Sequence, residues 1–438
     1  MEFDDRLKLL KKARATRSRQ EAVDKAWRKI GQSPDLTTKE KLEKLISLTR
    51  TGPEKKEKAR VAEPDRPEPF QVFENHFSLR SRYGRVSIGR GLSVKGQTLS
   101  LLSRDQSFEN LDLSSSLFLD LETTGLSGGV GVIPFLVGLG FYRESKFHVL
   151  QFFLGDPAAE DELIQELRLL FSQVKFRSVV TFNGKAFDLP LLETRFILRG
   201  EILDLSGLPH LDFLFAARSL WGHKHESCRL YHLAREVLNA AREEDIPSAE
   251  IPFRYFQFLR SGDFSLVEPV LYHNQEDILS LLGVVIVGAS FFAEEEERAE
   301  ERLADAMDLF GAAKILEKTG EFEKSALFIR RALEGGLSGE ASVLARKKLA
   351  SYFKKHQEWE KAVRLWQEMT SLNQLTCFRE LAMYYEHRAK DYGRAKQVSE
   401  EGLELASGIS RVYEIDFVHR LDRLKRKINR QLAETSEK

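Results

Sequence analysis

The stretch Ser116–Gly125, SLFLDLETTG, alternates apolar and acidic side chains and decides the fold class of the surrounding region. Alternation with a period of two predicts a β-strand whose leucines face one side while Asp120 and Glu122 face the other. Two carboxylates on one face repel each other unless a cation lies between them. Because the pair includes no cysteine or histidine, it favours Mg²⁺ or Mn²⁺ over zinc. Two exposed acids at a strand end are the alternative.

Strand and helix patterns continue towards the C-terminus. FLVGLGFY and FHVLQFFL predict two antiparallel strands, and AEDELIQELRLLF predicts an amphipathic helix. A short buried strand SVVTF, a helix ending at Gly200, a further strand HLDFLF and an apolar helix after His273 follow. Three strands and then alternating helices and strands predict an α/β domain over residues 116–292, with a mixed sheet and flanking helices.

Carboxylates also lie at the ends of other predicted elements. Asp188 opens the helix after the buried strand, and Asp277 lies in the first turns of the apolar helix. Together with Asp120 and Glu122, these acids come from different elements of one domain. Hydrolysis of a phosphodiester by two metal ions about 3.5–4 Å apart needs such convergence, because several acids must hold the ions. Stabilisation of a helix dipole is the structural alternative for an acid at a helix start.

Two polar residues after the buried strand are candidates for contacts with a substrate. Asn183 ends that strand and Lys185 follows it in TFNGKAFD. Phosphate groups accept contacts from many residue types, so both side chains suit a substrate strand. Lys185 equally suits an ordinary solvated position.

Beyond residue 294 the sequence predicts helices only, in an approximate repeat. EFEKSALFIRRAL, EWEKAVRLWQEM and DYGRAKQVSEEGL each combine a short turn, an aromatic residue and a helix. Their aromatic residues Phe322, Trp359 and Tyr392 are 37 and 33 residues apart. This spacing resembles that of tetratricopeptide repeats over residues 300–430, and a plain helical bundle is the alternative.

The chain has 438 residues and no net formal charge, but its charges are unevenly distributed. Residues 1–60 hold 18 Lys and Arg against 10 Asp and Glu, a net of +8, whereas residues 116–290 hold 15 against 23, a net of −8. A basic helical arm beside an acidic domain suits a protein that attracts a polyanion, and ordinary solvated surfaces are the alternative. Residues 61–115 predict a proline-rich linker and short strands.

Composition excludes several classes of protein. Hydrophobic residues make up 42% of the chain and charged residues 31%, which excludes wholesale disorder. The longest apolar stretch, residues 278–293, is shorter than the roughly 20 residues of a membrane-spanning helix. The N-terminus lacks the apolar region of a secretory signal, and two distant cysteines predict neither a disulfide framework nor a cysteine zinc site. We therefore expect a cytoplasmic protein without membrane contact.

Three segments, FLDLETTGLSGG, TFNGKAFDLPLLETR and HNQEDILSL, resemble in order and spacing the exonuclease motifs of the DEDD superfamily of the ribonuclease H-like fold. With HLDFLFAARSLWG, they resemble most the YprB-like group of bacterial ribonuclease H-like proteins, in which helical repeats often follow. The resemblance implies a metal-dependent nuclease with two Mg²⁺ or Mn²⁺ ions. It implies that Asp120 and Glu122 are metal ligands of the first motif, Asp188 of the second and Asp277 of the third.

The sequence departs from the exonuclease pattern at the residue that assists the attacking water. The tyrosine subclass has its Tyr four residues before the last Asp, and the histidine subclass has its His five before. Here His273 has the tyrosine spacing and Tyr272 the histidine spacing. Helical geometry favours His273 as general base, because positions i and i+4 share a face whereas i and i+5 diverge by about 140°. An imidazole also suits proton abstraction near neutral pH.

The leading hypothesis is a nuclease that hydrolyses DNA or RNA from a 3′ end, most naturally a single-stranded end. The four acids hold the metal ions, His273 accepts a proton from water, and Asn183 and Lys185 contact the substrate. The basic arm holds the flanking strand. The alternative is a catalytically inactive nucleic-acid-binding scaffold that docks partner proteins through its helical repeats.

Overall fold

The alternating segment around Asp120 forms an inner strand of a six-stranded mixed sheet. A computed structural model describes residues 68–125, 131–203, 205–240, 242, 246–293 and 304–436. The basic arm predicted at residues 1–60 lies outside the described residues, as do residues 61–67 of the predicted linker.

The sheet has the strand order β1-β6-β5-β4-β7-β8. Strands β4, β7 and β8 are parallel, and the other neighbours are antiparallel. A separate two-stranded sheet pairs β2 with β3. The strands are β1 Phe70–Ser78, β2 Arg82–Tyr83, β3 Val86–Ser87, β4 Ser116–Thr123, β5 Pro134–Arg143, β6 Lys146–Leu154, β7 Ser178–Thr181 and β8 His210–Asp212.

Helices cover both faces of the large sheet. They are α1 Gly96–Ser103, α2 Glu160–Val174, α3 Asp188–Leu198, α4 Phe213–Trp221, α5 Leu230–Leu238, α6 Ile251–Ser261 and α7 Glu268–Ser290. Leu117, Leu119 and Leu121 of β4 pack in one core with α2, α3 and α6, whereas Phe118 packs in the other core with α4, α5 and α7. Alternate side chains of β4 therefore pack in different cores, because successive residues of a strand point to opposite faces of the sheet and both faces are covered.

Three predicted elements differ from the structure, and one of them is helix α7, which begins at Glu268 and not after His273. The strand predicted for HLDFLF ends at Asp212, and helix α4 begins at Phe213. The Asp212 carboxylate accepts a hydrogen bond from the Leu214 N–H, and this cap starts the helix. Within residues 61–115, β1 pairs with β6 along its whole length, from Phe70 opposite Leu154 to Ser78 opposite Lys146. This segment therefore contributes an edge strand to the large sheet, and it also contains helix α1.

An all-helical region follows, in which short turns join successive helices into pairs. The pairs are α8 Ala306–Lys318 with α9 Phe322–Glu334, α10 Gly339–Lys355 with α11 Trp359–Thr370, and α12 Leu375–His387 with α13 Tyr392–Ala406, followed by α14 Arg411–Ser436. The predicted aromatic residues Phe322, Trp359 and Tyr392 are the first residues of α9, α11 and α13. The predicted fold class, a mixed sheet with flanking helices followed by an all-helical region, is confirmed.

The helical region packs directly on the sheet domain through α8 and α4. A side chain at Gly311 would place its Cβ 2.1 Å from the Leu220 carbonyl oxygen, so the two helix backbones touch at this glycine. Phe310 of α8 and Leu220 of α4 belong to one continuous hydrophobic core. Among the described helices, none is both long and apolar enough to cross a membrane.

Candidate active site

The predicted acids lie together where the C-terminal end of β4 meets α3 and α7. Asp120 and Glu122 come from β4, Asp188 is the first residue of α3, and Asp277 lies within α7. The Leu121 backbone lies close enough to the Asp188 carboxylate to lower its pKa, so this acid lies beside β4. The structure therefore brings together all four acids that the sequence singled out.

His273 lies between two of these acids. Its Nε2 is 3.4 Å from Asp277 Oδ2 and 3.7 Å from Glu122 Oε1. Helix α7 begins at Glu268, so residues 273 and 277 share a helical face as the spacing predicts. His273 is 5% exposed, whereas Tyr272 is 37% exposed. His273 is therefore a buried candidate for a general base that lies within 4 Å of two acids.

Burial, together with neighbouring acids, raises the pKa values of Asp120 and Asp188. The pKa of Asp120 lies well above its usual range, because burial disfavours the anion and because Asp277, Glu122 and Asp188 add negative charge around it. Burial, followed by the charges of Asp212 and Asp277, raises the pKa of Asp188 to about 7. In the absence of a cation, the site therefore disfavours full ionisation of its carboxylates.

A buried amide chain holds Asp120 in place. The Asn274 Nδ2 donates to Asp120 Oδ2 at 2.8 Å, and the Gln151 Nε2 donates to Asn274 Oδ1 at 2.9 Å. A Cβ at position 138 would lie 2.2 Å from Asn274 Oδ1, so Gly138 leaves room for the amide. Sequence reasoning missed these residues, because nothing in the pattern of β5, β6 or α7 shows that they meet.

Arg242 supplies a positive charge to the acid cluster. Its Nη2 lies 2.6 Å from Asp277 Oδ1, and it also donates to Ser280 Oγ at 2.6 Å and to the Glu276 carbonyl oxygen at 3.2 Å. Tyr83 donates to the Glu276 carboxylate at 2.7 Å on the same side of α7. The Arg242 side chain is 1% exposed, so it is a buried counter-charge for Asp277. No motif in the sequence signals this arginine, which follows α5 in the chain.

The comparisons with known proteins agree with this geometry. A family model described as the RNase_H superfamily matches residues 117–287, the region that holds all four acids. The chain is 34% identical over 332 residues to "Uncharacterized protein YprB" of Bacillus subtilis (strain 168), and the match covers 74% of this chain and 78% of that protein.

This chain belongs to the YprB family, within the RNase_H superfamily. The match to YprB extends beyond the superfamily region, because its 332 residues exceed the span 117–287. The YprB family likeness therefore includes parts of the chain outside the sheet domain.

In this YprB family member, two cavities flank the acids. A cleft of about 950 Å³ has His273 and Asp277 in its lining, together with Asn183, Arg218 and Tyr231. A second cavity of about 490 Å³ lies beside Glu122 and Asp188. Ser248 lines both cavities. Asp277 therefore borders one cavity, and Glu122 and Asp188 border the other.

The two predicted substrate contacts occupy one turn after β7. Asp212 holds this turn, because its Oδ1 accepts from the Asn183 N–H at 2.7 Å and its Oδ2 from the Lys185 N–H at 3.2 Å. Asn183 adopts the left-handed conformation, with φ of 73°, and lines the cleft beside His273 and Asp277. Lys185 is exposed and is not one of the residues lining that cleft.

The fit of a divalent cation rests on donor chemistry and charge. Four carboxylates provide oxygen ligands, the donors that Mg²⁺ and Mn²⁺ prefer. Burial first, and then the charges of Asp277, Glu122 and Asp188, hold the pKa of Asp120 well above its usual range, and a bound cation would offset both effects. Within the described part of the chain, no three His, Cys, Asp or Glu side chains are already arranged as ligands around one point. The residues therefore fit such an ion in type and charge.

Proposed function

We propose that this protein is a metal-dependent nuclease that hydrolyses phosphodiester bonds of DNA or RNA, acting from the 3′ end of a single strand. One observation carries the proposal: four acids and a buried histidine from β4, α3 and α7 meet between two cavities of an RNase_H superfamily domain. Nucleases are frequent in this superfamily. Cations held by these acids would neutralise the negative charge that develops when a phosphodiester is hydrolysed.

In this proposal Asp120, Glu122, Asp188 and Asp277 hold two Mg²⁺ or Mn²⁺ ions. Such ions, when bound, activate the attacking water and neutralise charge at the leaving oxygen. The protein's own contribution begins with the amide of Asn274, which orients the Asp120 carboxylate. His273 accepts the proton from the attacking water at Nε2, the nitrogen that faces Glu122 and Asp277.

Other residues of the cleft position the substrate in this proposal. Asn183 contacts a phosphate close to the acids, and the exposed ring of Tyr231 offers a base a stacking surface. Lys185 lies further along the same turn and contacts a neighbouring phosphate.

A direct test incubates the purified chain with end-labelled single- and double-stranded DNA and RNA. We expect stepwise shortening of a single strand from its 3′ end with Mg²⁺ or Mn²⁺, and none with EDTA. Labelling either end separates exonuclease from endonuclease products. No hydrolysis of any of these substrates at any metal concentration would overturn the proposal.

The contact between Arg242 and Asp277 favours a second candidate function, a catalytically inactive nucleic-acid-binding scaffold. Arg242 balances one carboxylate without any metal ion. If Arg242 stays paired with Asp277 and the acids bind no metal ion, titration with Mn²⁺ should leave the thermal stability of the protein unchanged. If the acids bind ions, the melting temperature should rise with Mn²⁺ concentration, because a ligand of the folded state stabilises it.

The helical region is the proposed partner-binding part of either function. We infer that its helix pairs follow the tetratricopeptide pattern, since their second helices begin with aromatic residues 37 and 33 positions apart. Stacked pairs of this kind form extended surfaces that suit a protein partner.

Deleting residues 1–60 should weaken binding to nucleic acid and reduce its dependence on salt. The arm carries a net charge of +8, and each lost phosphate contact should lower the slope of log affinity against log salt by about 0.7–0.9. Affinity measured by fluorescence anisotropy at several salt concentrations checks this prediction. The deletion should change the rate at which a bound strand is hydrolysed less than it changes the affinity for that strand. An unchanged slope would identify the arm as a solvated or protein-binding segment.

A further inference from the structure

Positively charged side chains cover the surface that leads from the cleft towards the helical region. We call this surface the basic track. Its members come from the end of α1, from α4, from α8 and from α10, and they are Arg104, Arg218, Lys314, Lys318 and Lys348. One acid, Glu317, lies among them. The track therefore has an excess of positive charge.

Two of these cations converge on one buried hydroxyl. The Lys318 Nζ donates to Ser219 Oγ at 3.1 Å, and the Arg104 Nη2 donates to the same oxygen at 3.5 Å. Ser219 is next to Arg218 in α4, and Arg218 lines the cleft. The side chains of α1, α4 and α8 thus meet at a single point close to the cleft.

The cations of the track repel one another. Burial and then the charges of Lys318 and Lys348 lower the pKa of Lys314, while burial and then Arg104 and Lys348 lower the pKa of Lys318. Glu317 pairs with Lys348 at 2.5 Å and offsets part of this charge. Crowded cations of one sign reduce the stability of a folded protein unless an anion binds among them.

The track is continuous with the cleft. Cys228 lines the cleft, and the charges of Arg218 and Lys314 both act on its thiol, opposing the rise in pKa that burial causes. The close contact of Gly311 with the α4 backbone fixes α8 beside this part of the cleft. A strand that leaves the acids through the cleft therefore meets Arg218 first and Lys314 and Lys318 next.

We propose that the basic track binds the phosphate backbone of a single-stranded nucleic acid whose end lies at the acids. The inference rests on the proposed function and adds a length requirement, since a strand must extend beyond the cleft to reach α8. A row of cations matches the regular spacing of charge along such a backbone. The aromatic rings of Phe182 and Tyr231 in the cleft suit unpaired bases, which stack on such rings.

Lys318→Glu tests the track in the full-length chain. Binding is measured by fluorescence anisotropy in EDTA, so that hydrolysis does not affect the result. The probes are labelled DNA and RNA single strands in two lengths, one that only fills the cleft and one long enough to reach α8, and a long duplex. We expect Lys318→Glu to weaken binding of the long single strands about tenfold and to reduce their salt dependence. Binding of the short strands should not change.

Two further variants complete the experiment. Lys318→Gln removes the charge without reversing it and should give a smaller loss. Lys396→Glu makes the same charge reversal on α13, outside the track, and should bind the long strands as the unmodified protein does. A comparison of the affinities for the DNA and RNA probes shows which of the two backbones the track binds more tightly. Tighter binding of the duplex than of the single strand would overturn the inference, as would equal loss in Lys318→Glu and Lys396→Glu.

Binding and hydrolysis separate this inference from the proposed function. If the unmodified chain hydrolyses nothing but Lys318→Glu loses long-strand binding, the track is supported and the nuclease proposal fails. If the chain hydrolyses single strands but Lys318→Glu binds long strands normally, the nuclease proposal stands and the track is overturned.

Discussion

Replacing Asp120 with asparagine is expected to abolish metal-dependent hydrolysis while leaving the fold intact. Asp120 lies at the centre of the charge cluster, because Asp277, Glu122 and Asp188 all act on its carboxylate. The substitution removes a ligand charge that two-metal hydrolysis requires, whereas the amide keeps nearly the same shape. Hydrolysis of end-labelled single strands with Mn²⁺ measures the loss. Full activity in Asp120→Asn would exclude the two-metal mechanism.

The same variant should be at least as stable as the unmodified protein when no metal is present. The neutral amide removes one source of repulsion between the acids. Thermal unfolding in EDTA at pH 8 measures this effect. Asp422→Asn is a matched control, because Asp422 is an exposed aspartate on α14, and it should change neither activity nor stability.

The stability of the metal-free protein should also depend on pH through this cluster. The pKa of Asp188 is raised to about 7 in the folded protein, above its value in an unfolded chain. The folded state therefore binds this proton more tightly, so the contribution to stability is present at low pH and is lost as pH rises through about 7. In Asp120→Asn this dependence should be weaker, because Asp120, whose own pKa is raised by burial and neighbouring acids, no longer titrates.

The fold was predictable where the polarity of successive side chains indicates which of them are buried. Leucines alternating with Phe118, Asp120 and Glu122 identified β4, because a strand places successive side chains on opposite faces. The boundary of β8 was not predictable in the same way. Phe213 and Leu214 are apolar enough to continue a strand, but the Asp212 cap begins a helix there.

The candidate site was predictable only in part, for a related reason. Its four acids and His273 stand in patterns that the local sequence displays. Asn274, Gln151 and Arg242 act through contacts between segments far apart in the chain, so their partners appear only once the chain is folded. Gly138 is a further example, since its lack of a side chain matters only because Asn274 of α7 packs against β5 at that point.

The acids of the candidate site and the cations of the basic track lie close to each other. Asp277 and Arg218 line the same cleft, and Arg218 also belongs to the basic track, so negative and positive charges lie close together there. A polyanion would be attracted by the track and repelled by the acids unless cations are bound there. Metal binding and strand binding should therefore support each other, which makes affinity for a strand end greater with Mn²⁺ than with EDTA.

Replacing His273 with alanine is expected to lower the rate of hydrolysis by about 10²–10⁴-fold, the usual contribution of a general base. His273 is the buried residue whose Nε2 faces both Glu122 and Asp277. Tyr272→Phe should be mild by comparison, because Tyr272 is 37% exposed and lies off the face that His273 shares with Asp277. Single-turnover rates with saturating Mn²⁺ measure both effects.

Two further measurements distinguish a general base from a residue that merely packs α7. The acidic limb of the pH–rate profile should flatten in His273→Ala, because the titrating imidazole is gone. Added imidazole should restore part of the lost rate, which it would not do if the variant had only disturbed the helix. Metal affinity, measured by the rise in melting temperature with Mn²⁺, should change little, since the four carboxylates remain. A large loss in Tyr272→Phe with a nearly normal rate in His273→Ala would reverse the assignment, and Tyr272 would then be the residue that orients the attacking water.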